Sequence, residues 1–391
     1  MSQHFSLSDI YDKNLQIVLG AGASAGLFPT LALQVKANDG TRMTIESLAT
    51  HYTKGREDPS YTALFMHYYK HCIEPVLSAD YAKFAEDPLK RNVLENYQKM
   101  LETILLLLSR KKAGDHRICN IFTTNYDGCV AHAAEELLAS ARTRFCLNDG
   151  TQGFKRRYLD AKNFTTILTQ TGVFMQHRHD LPQINLVQLH GSAYWRKHSQ
   201  RICVDYSGNN SDRIIKSTGF EKIKPYSAAL LEPGAEVGTL PEVDLTAEEI
   251  EEFWCSYDKL PIVNPTKWKF HETVFEEHYY QMLRHLSYEL ERPHTTVIAF
   301  GFSFADEHIK NLLRRSLSNP TLQIYICCFD QHGKTSLEKE FSHYRNISLI
   351  ALASPLDFDA FNEKVFTDRP AIHSVPNPPA VLAPVALEPA A

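Results

Sequence analysis

Six short runs rich in β-branched and apolar residues punctuate this chain: Gln16–Leu19, Ile118–Thr123, Asn185–Leu189, Thr295–Phe300, Leu322–Phe329 and Ile347–Ala351, with helical patterning between them. Hairpin partners would sit only a few residues apart, so this spacing suits parallel strands joined by crossovers. The runs are nearly continuous in apolar character, as strands covered by helices on both faces require. The expected fold class is therefore α/β, a doubly wound parallel sheet.

The 391 residues can form one large domain, expected over residues 1–369. Two insertions interrupt the strand pattern. Residues 44–112 carry Tyr61, Leu64, Phe65, Tyr68 and Tyr69 at helical spacing, followed by Leu101–Leu108, and predict a packed helical subdomain whose aromatic stripe is core. Residues 203–265 are rich in Gly, Pro and acidic residues and predict irregular chain with a short acidic helix opened by the capping box Thr246-Ala247-Glu248-Glu249. Residues 370–391 are dominated by Pro and Ala and predict a flexible tail.

Composition narrows the function classes. A formal charge of -5 argues against wholesale attraction to nucleic acid, and Lys155-Arg156-Arg157 reads as a solvated loop. The longest apolar run, Ile104–Leu108, is far below the roughly 18 residues that span a membrane. The opening Met1-Ser2-Gln3-His4 lacks a signal-peptide pattern, and the eight cysteines include no Cys-x-x-Cys pair. A reducing cytoplasm, no membrane contact and no structural zinc are the expectations.

The chemistry is expected in the loops that follow the strands, where open α/β sheets bind ligands. After the first run comes Gly20-Ala21-Gly22-Ala23-Ser24, a glycine turn that would let a pyrophosphate approach backbone amides. The later runs are followed by Thr123-Thr124-Asn125-Tyr126-Asp127, by His190-Gly191-Ser192, and by Gly301-Phe302-Ser303-Phe304-Ala305-Asp306-Glu307-His308. Taken singly, Asp127 is an N-cap for a helix over 128–139, Asn125 is a turn residue, and Ser303 or Asp306 caps a helix over 307–317.

In their order and separations, Gly20–Ser24, Thr124–Asp127, Leu189–Ser192 and Gly301–Ser303 resemble the NAD-binding motifs of sirtuins. Their wording, Asn-Tyr-Asp, His-Gly-Ser and Gly-Phe-Ser-Phe-x-Asp-x-His, is similar to the bacterial sirtuin-like branch used in antiphage defence, which includes Thoeris-type effectors and subunits paired with HerA-type ATPases. The resemblance spans about Leu15–Leu352 and is nearest to the HerA-associated group. It implies a Rossmann-like domain and NAD+ as substrate, with Asn125, His190 and Asp127 catalytic, Asp127 orienting one of the other two or adding negative charge near the developing cation. It further implies that Gly20, Ala21, Gly22, Ser24 and Thr124 hold the phosphate side, with Gly301 and Ser303 facing the adenosine half.

Two departures refine what the resemblance implies. Deacylating sirtuins continue their glycine loop with Ile-Pro-Asp-Phe-Arg, whereas Ala25–Leu31 supplies neither the acidic residue nor the arginine. Their zinc ribbon of paired cysteines has no counterpart here. The expectation is therefore NAD+ glycohydrolysis to nicotinamide and ADP-ribose without an acyl-lysine, in a homo-oligomer working with a HerA-type ATPase as an abortive-infection effector. Two alternatives stay open at this level: a scaffold that binds NAD or ADP-ribose without cleaving it, and a nuclease component of an ATPase complex.

Overall fold

A computed structural model describes residues 5–30, 32–112, 114–141, 143–171, 178–207, 211–265 and 273–368. The Pro/Ala tail expected at 370–391 lies outside the described residues.

Seven strands form the central sheet: Asn14–Leu19 (β1), Ile118–Thr123 (β2), Cys146–Asn148 (β3), Gln183–Gln188 (β4), Thr295–Phe300 (β5), Gln323–Cys327 (β6) and Ile347–Ile350 (β7). Their order is β7-β6-β5-β1-β2-β4-β3, and every neighbouring pair is parallel. The chain leaves β1 for β2 on one side and later returns to β5 on the other. The carboxyl ends of β1, β2 and β5 thus converge where successive crossovers part, the crevice in which open parallel sheets place ligands. The edge strand β3 has half-exposed residues and only three of them, too short and too polar to stand out in the sequence.

Helices flank this sheet. In the 44–112 region, Pro59–Tyr68 (α1) and Pro88–Ser109 (α2) are the longest. Each starts at an aspartate N-cap with proline in the first turn: Asp58 accepts from the Ser60 amide, and Asp87 from the Leu89 and Lys90 amides. One stripe of α2, including Leu94, Tyr97, Leu101, Ile104 and Leu108, is buried, as its apolar spacing requires. This helix packs on Cys129–Ala139 (α3) and on β2. In the 203–265 region, Ala247–Tyr257 (α4) opens with the Thr246–Glu249 capping box and buries Phe253, Trp254 and Tyr257, the last two against Phe65 of α1. The aromatic stripe of α1 is therefore core. Thr273–Glu291 (α5), Glu307–Ser316 (α6) and Gln331–Phe341 (α7) follow, α5 packing on β5 and α7 on β7.

The strands are less uniformly apolar than their sequence suggests. Gln16, Asn120 and Asn185 occupy directly adjacent positions on β1, β2 and β4, all at most 2% exposed. Asn185 Nδ2 donates to Asn120 Oδ1 at 2.7 Å, Asn120 Nδ2 to Gln16 Oε1 at 2.8 Å, and Gln16 Nε2 to Glu289 Oε2 of α5 at 3.0 Å. Gln183 Nε2 extends the row at one end by donating to Asn185 Oδ1 at 2.8 Å, and Arg292 closes the other by an ion pair with Glu289 at 2.9 Å. A buried amide is tolerated when its partners are supplied, and each member of this row supplies the next.

Among the described residues, no helix is long and apolar enough to cross a membrane.

Candidate functional site

The loop after β1 is a single 3₁₀ turn, Ala21–Ser24, packed directly on the loop after β5. Gly20 N donates to Phe300 O at 3.1 Å and Gly22 N to Gly301 O at 2.9 Å, so two backbones meet without side chains between them. A Cβ at Gly301 would lie 2.3 Å from Ala23 N, and one at Gly20 would lie 2.5 Å from Gly301 O. Gly301 also adopts φ +63°, the left-handed region that favours glycine. These glycines are thus fixed by loop-to-loop packing, and the amides of Gly20 and Gly22 are committed to it. Ladder-like bonds continue across the crevice: Thr124 N donates to Leu19 O at 3.2 Å and Leu189 N to Thr123 O at 2.8 Å.

Behind the turn, Ser24 gathers three side chains from two other elements. Ser24 Oγ lies 2.6 Å from Asp127 Oδ2, 2.8 Å from Tyr97 Oη of α2 and 3.2 Å from Asn125 Nδ2. A hydroxyl has one proton and two lone pairs. With Asp127 ionised, the proton goes to the carboxylate, and both lone pairs are filled by the Tyr97 hydroxyl and the Asn125 amide. That count fixes the Asn125 side chain with its amide nitrogen toward Ser24. Its Oδ1 is buried and has no hydrogen-bond partner. Asn125 is 8% exposed, and a buried acceptor left open this way is costly unless something else supplies the donor.

Asp127 serves the helix and the cluster together. Its Oδ1 accepts from Cys129 N, the first residue of α3, at 3.0 Å, while Oδ2 takes the Ser24 hydroxyl. Gly128 takes the N-cap position itself, so the expected capping aspartate acts from one residue earlier. Burial raises the Asp127 pKa, and the bonds from Ser24 and Cys129 oppose that rise. Burial also drives the Tyr97 hydroxyl well above its ordinary value, with the Asp127 charge adding to it, so Tyr97 remains a neutral donor.

His190 follows β4 and Leu189. Its loop is tied to the Asn125 loop through Tyr126, whose carbonyl accepts from Ala193 N at 2.9 Å and Ser192 Oγ at 3.3 Å. Gln188 Nε2 reaches Asp127 O at 3.4 Å. Residues Ile262 and Val263 line the outer side of this loop, Val263 N donating to His190 O at 2.9 Å. The imidazole Nε2 lies 3.1 Å from Asp306 Oδ2, the two side chains being only 12% and 9% exposed. The approach is close but off the axis of an aligned hydrogen bond, so its main content is electrostatic. Asp306 is also the N-cap of α6, Oδ1 accepting from His308 N at 3.0 Å and Ile309 N at 3.1 Å.

The geometry sorts the residues singled out from sequence. Ser24, Asn125 and Asp127 form one bonded cluster, with Gly20, Ala21 and Gly22 on the adjoining turn and Thr124 on the ladder between β1 and β2. His190 stands on the neighbouring loop. Gly301 packs against the turn, whereas Ser303 is exposed and its Oγ accepts only from Ala305 N in its own loop, at 3.4 Å. Sequence reasoning missed Tyr97 and the pairing of Asp306 with His190. Tyr97 had one signal, a hydroxyl on the apolar stripe of α2; Asp306 stood out as a helix cap and within the Gly-Phe-Ser-Phe-x-Asp-x-His wording, but nothing in the sequence joined it to His190.

Among the described residues, no group of three or more His, Cys, Asp or Glu gathers so as to hold a metal ion. No family model matches the chain, and no curated protein matches it.

Proposed function

We propose that this protein is an NAD+ glycohydrolase that releases nicotinamide and ADP-ribose at the crevice between β1, β2, β4 and β5. The observation that carries the reading is the buried, unpartnered Oδ1 of Asn125, held open by the Ser24 and Asp127 bonds beside a histidine on the next strand's loop. An acceptor in that state suits a ligand hydroxyl or a water molecule, both of which the hydrolysis of a nucleotide sugar presents.

The reaction asks little covalent work of a protein. Nicotinamide leaves as a neutral ring, taking the electron pair of the broken N-glycosidic bond, so its departure needs no acid. The ribose carbon develops oxocarbenium character, and water forms the new C–O bond. What the protein supplies is orientation and charge. In this reading Asn125 Oδ1 accepts from the ribose hydroxyl or the attacking water, His190 takes the water's proton, and the buried Asp127 carboxylate orients Asn125 through Ser24. Ala21, Thr124, Gly301 and Ser303 line the dinucleotide, and a doubly wound, Rossmann-like sheet with its helical insertion provides the frame.

The wider proposal is an effector of antiphage defence in the cytoplasm, a homo-oligomer working with a HerA-type ATPase. Purified protein, alone and mixed with such an ATPase, should consume NAD+ and release nicotinamide in equal amounts, followed by chromatography. Asn125→Ala and His190→Ala should each lower the rate by about 10²-fold or more while the far-UV spectrum and melting temperature stay near wild type. Normal turnover by both variants would remove this centre from the reaction. Copurified NAD+ without turnover would instead assign the crevice to binding.

A further inference from the structure

Two mostly buried side chains from different strand-end loops meet at the His190 Nε2 contact, and the pairing does more than a helix cap requires. Either Oδ atom would cap α6, yet Asp306 divides its oxygens. Oδ1 takes both first-turn amides, at 3.0 and 3.1 Å, and Oδ2 faces His190 Nε2 at 3.1 Å. Helix α6 therefore holds the carboxylate in place against the Nε2 side of the ring.

We infer that Asp306 is the positioning residue of His190, fixing the neutral imidazole with its proton on Nε2 and leaving Nδ1 as the basic nitrogen. This rests on the reading of His190 as the base in NAD+ cleavage. The tautomer argument is independent of that reading: a carboxylate beside one ring nitrogen favours the proton there, and the other nitrogen of a neutral ring then carries the lone pair.

The chemistry balances. Water bonds to the ribose carbon through its oxygen as the N-glycosidic bond breaks, and its proton moves to His190 Nδ1. The resulting imidazolium lies against the Asp306 carboxylate, which offsets its charge without taking its proton. The proton then passes to solvent, and the ring returns to its starting tautomer.

Other groups face this pair. Tyr126 comes from the β2 loop and Tyr279 from α5; burial raises both phenols, and the Asp306 charge contributes to each rise. The Tyr279 ring lies 6.2 Å from that of His190. Glu46 acts on Tyr279 at longer range. Both phenols stay neutral near neutral pH, so neither adds a charge of its own beside the pair.

Asp306→Asn separates capping from charge, because asparagine is as good an N-cap as aspartate while carrying no charge. The variant should keep its melting temperature within a few degrees and bind NAD+ with unchanged affinity in the presence of nicotinamide. Its kcat should fall about 10²-fold or more, because the imidazolium formed in the reaction has lost its counter-charge. Asp306→Glu should restore part of the rate. Turnover within threefold of wild type would overturn the inference.

A second readout needs no turnover. In protein labelled with 15N-histidine, the His190 ring signals, assigned by their loss in His190→Gln, should show the Nε2–H tautomer in the wild type and a mixture of both tautomers in Asp306→Asn. A wild-type ring protonated on Nδ1 would overturn the positioning role even in a protein that cleaves NAD+. An Nε2–H ring in a protein that never cleaves NAD+ would uphold the pairing and sink the glycohydrolase reading alone.

Discussion

Ser24 has the smallest functional side chain of the site and the most partners. Its hydroxyl is the only atom bonded to Tyr97, Asn125 and Asp127 together, at 2.8, 3.2 and 2.6 Å. Ser24→Ala removes all three bonds from a buried place and leaves the Asn125 amide free to turn. We expect a loss of about 2–4 kcal/mol in unfolding free energy, measured in urea, because three buried polar groups lose a partner. We also expect at least a tenfold fall in NAD+ consumption. A variant that loses stability but keeps its full rate would show that Asn125 needs no such orientation. At this scale the sequence was half legible. Asn125, Asp127 and His190 stood in polar loops after apolar runs, and that placement together with the family resemblance singled them out as candidates. Their mutual bonds did not, because Tyr97 sits far from the glycine turn in the chain and its hydroxyl looks like any other on an amphipathic helix.

Among the elements, the end of α1 is the most exposed to acid. The chain passes from α1 into a π-helical turn, Tyr69–Ile73, which stacks the rings of His67 and His71 with centroids 4.4 Å apart and turns both onto Ser227. His67 Nδ1 lies 2.5 Å from Ser227 Oγ and His71 Nε2 lies 3.3 Å from it. Burial lowers both pKa values, and the neighbouring ring adds to the effect on His67, which falls to about 3. A histidine whose folded value is depressed contributes stability above its unfolded value, and loses it as pH falls toward the folded one. Unfolding free energy should therefore decline from about pH 6.5 toward pH 3, by up to about 1.4 kcal/mol per pH unit from His67. His67→Gln should flatten that slope in urea titrations run at successive pH values. An unchanged slope would place the acid sensitivity elsewhere. The helical character of this region was readable from its apolar period, but the π turn was not, since nothing in the residues themselves marks where a turn widens.

Across the whole molecule, the row of buried amides does what apolar strands alone would leave undone. Valine and isoleucine pack acceptably in more than one register, whereas Gln16, Asn120 and Asn185 find one another only in the observed pairing. Asn120→Leu strands a donor on Asn185 and an acceptor on Gln16, and should cost about 2–4 kcal/mol in unfolding free energy. Asn120→Leu combined with Asn185→Leu removes both members of one bond, so the pair should cost less than the sum of the single changes, a difference measurable by a double-mutant cycle in urea. Strict additivity would mean that the amides act separately. The parallel sheet itself was legible from six apolar runs and the distances between them. The amide row was not, because a lone Gln or Asn inside a run looks like a defect until the neighbouring strands are aligned beside it.

The contact between the glycine turn and the loop after β5 sets a timetable. Gly20 and Gly22 are made early in synthesis, but the Phe300 and Gly301 carbonyls that take their amides, and the Asp306 that faces His190, come from the last quarter of the chain. Domains fold as units while synthesis proceeds from the N-terminus, and a strand pair of such long separation can close only when its second member exists. A ribosome-bound fragment that stops short of β5 therefore carries Asn125 and His190 without the wall that completes their crevice. A fragment that ends before β5 should therefore show no NAD+ consumption even where the full chain consumes it.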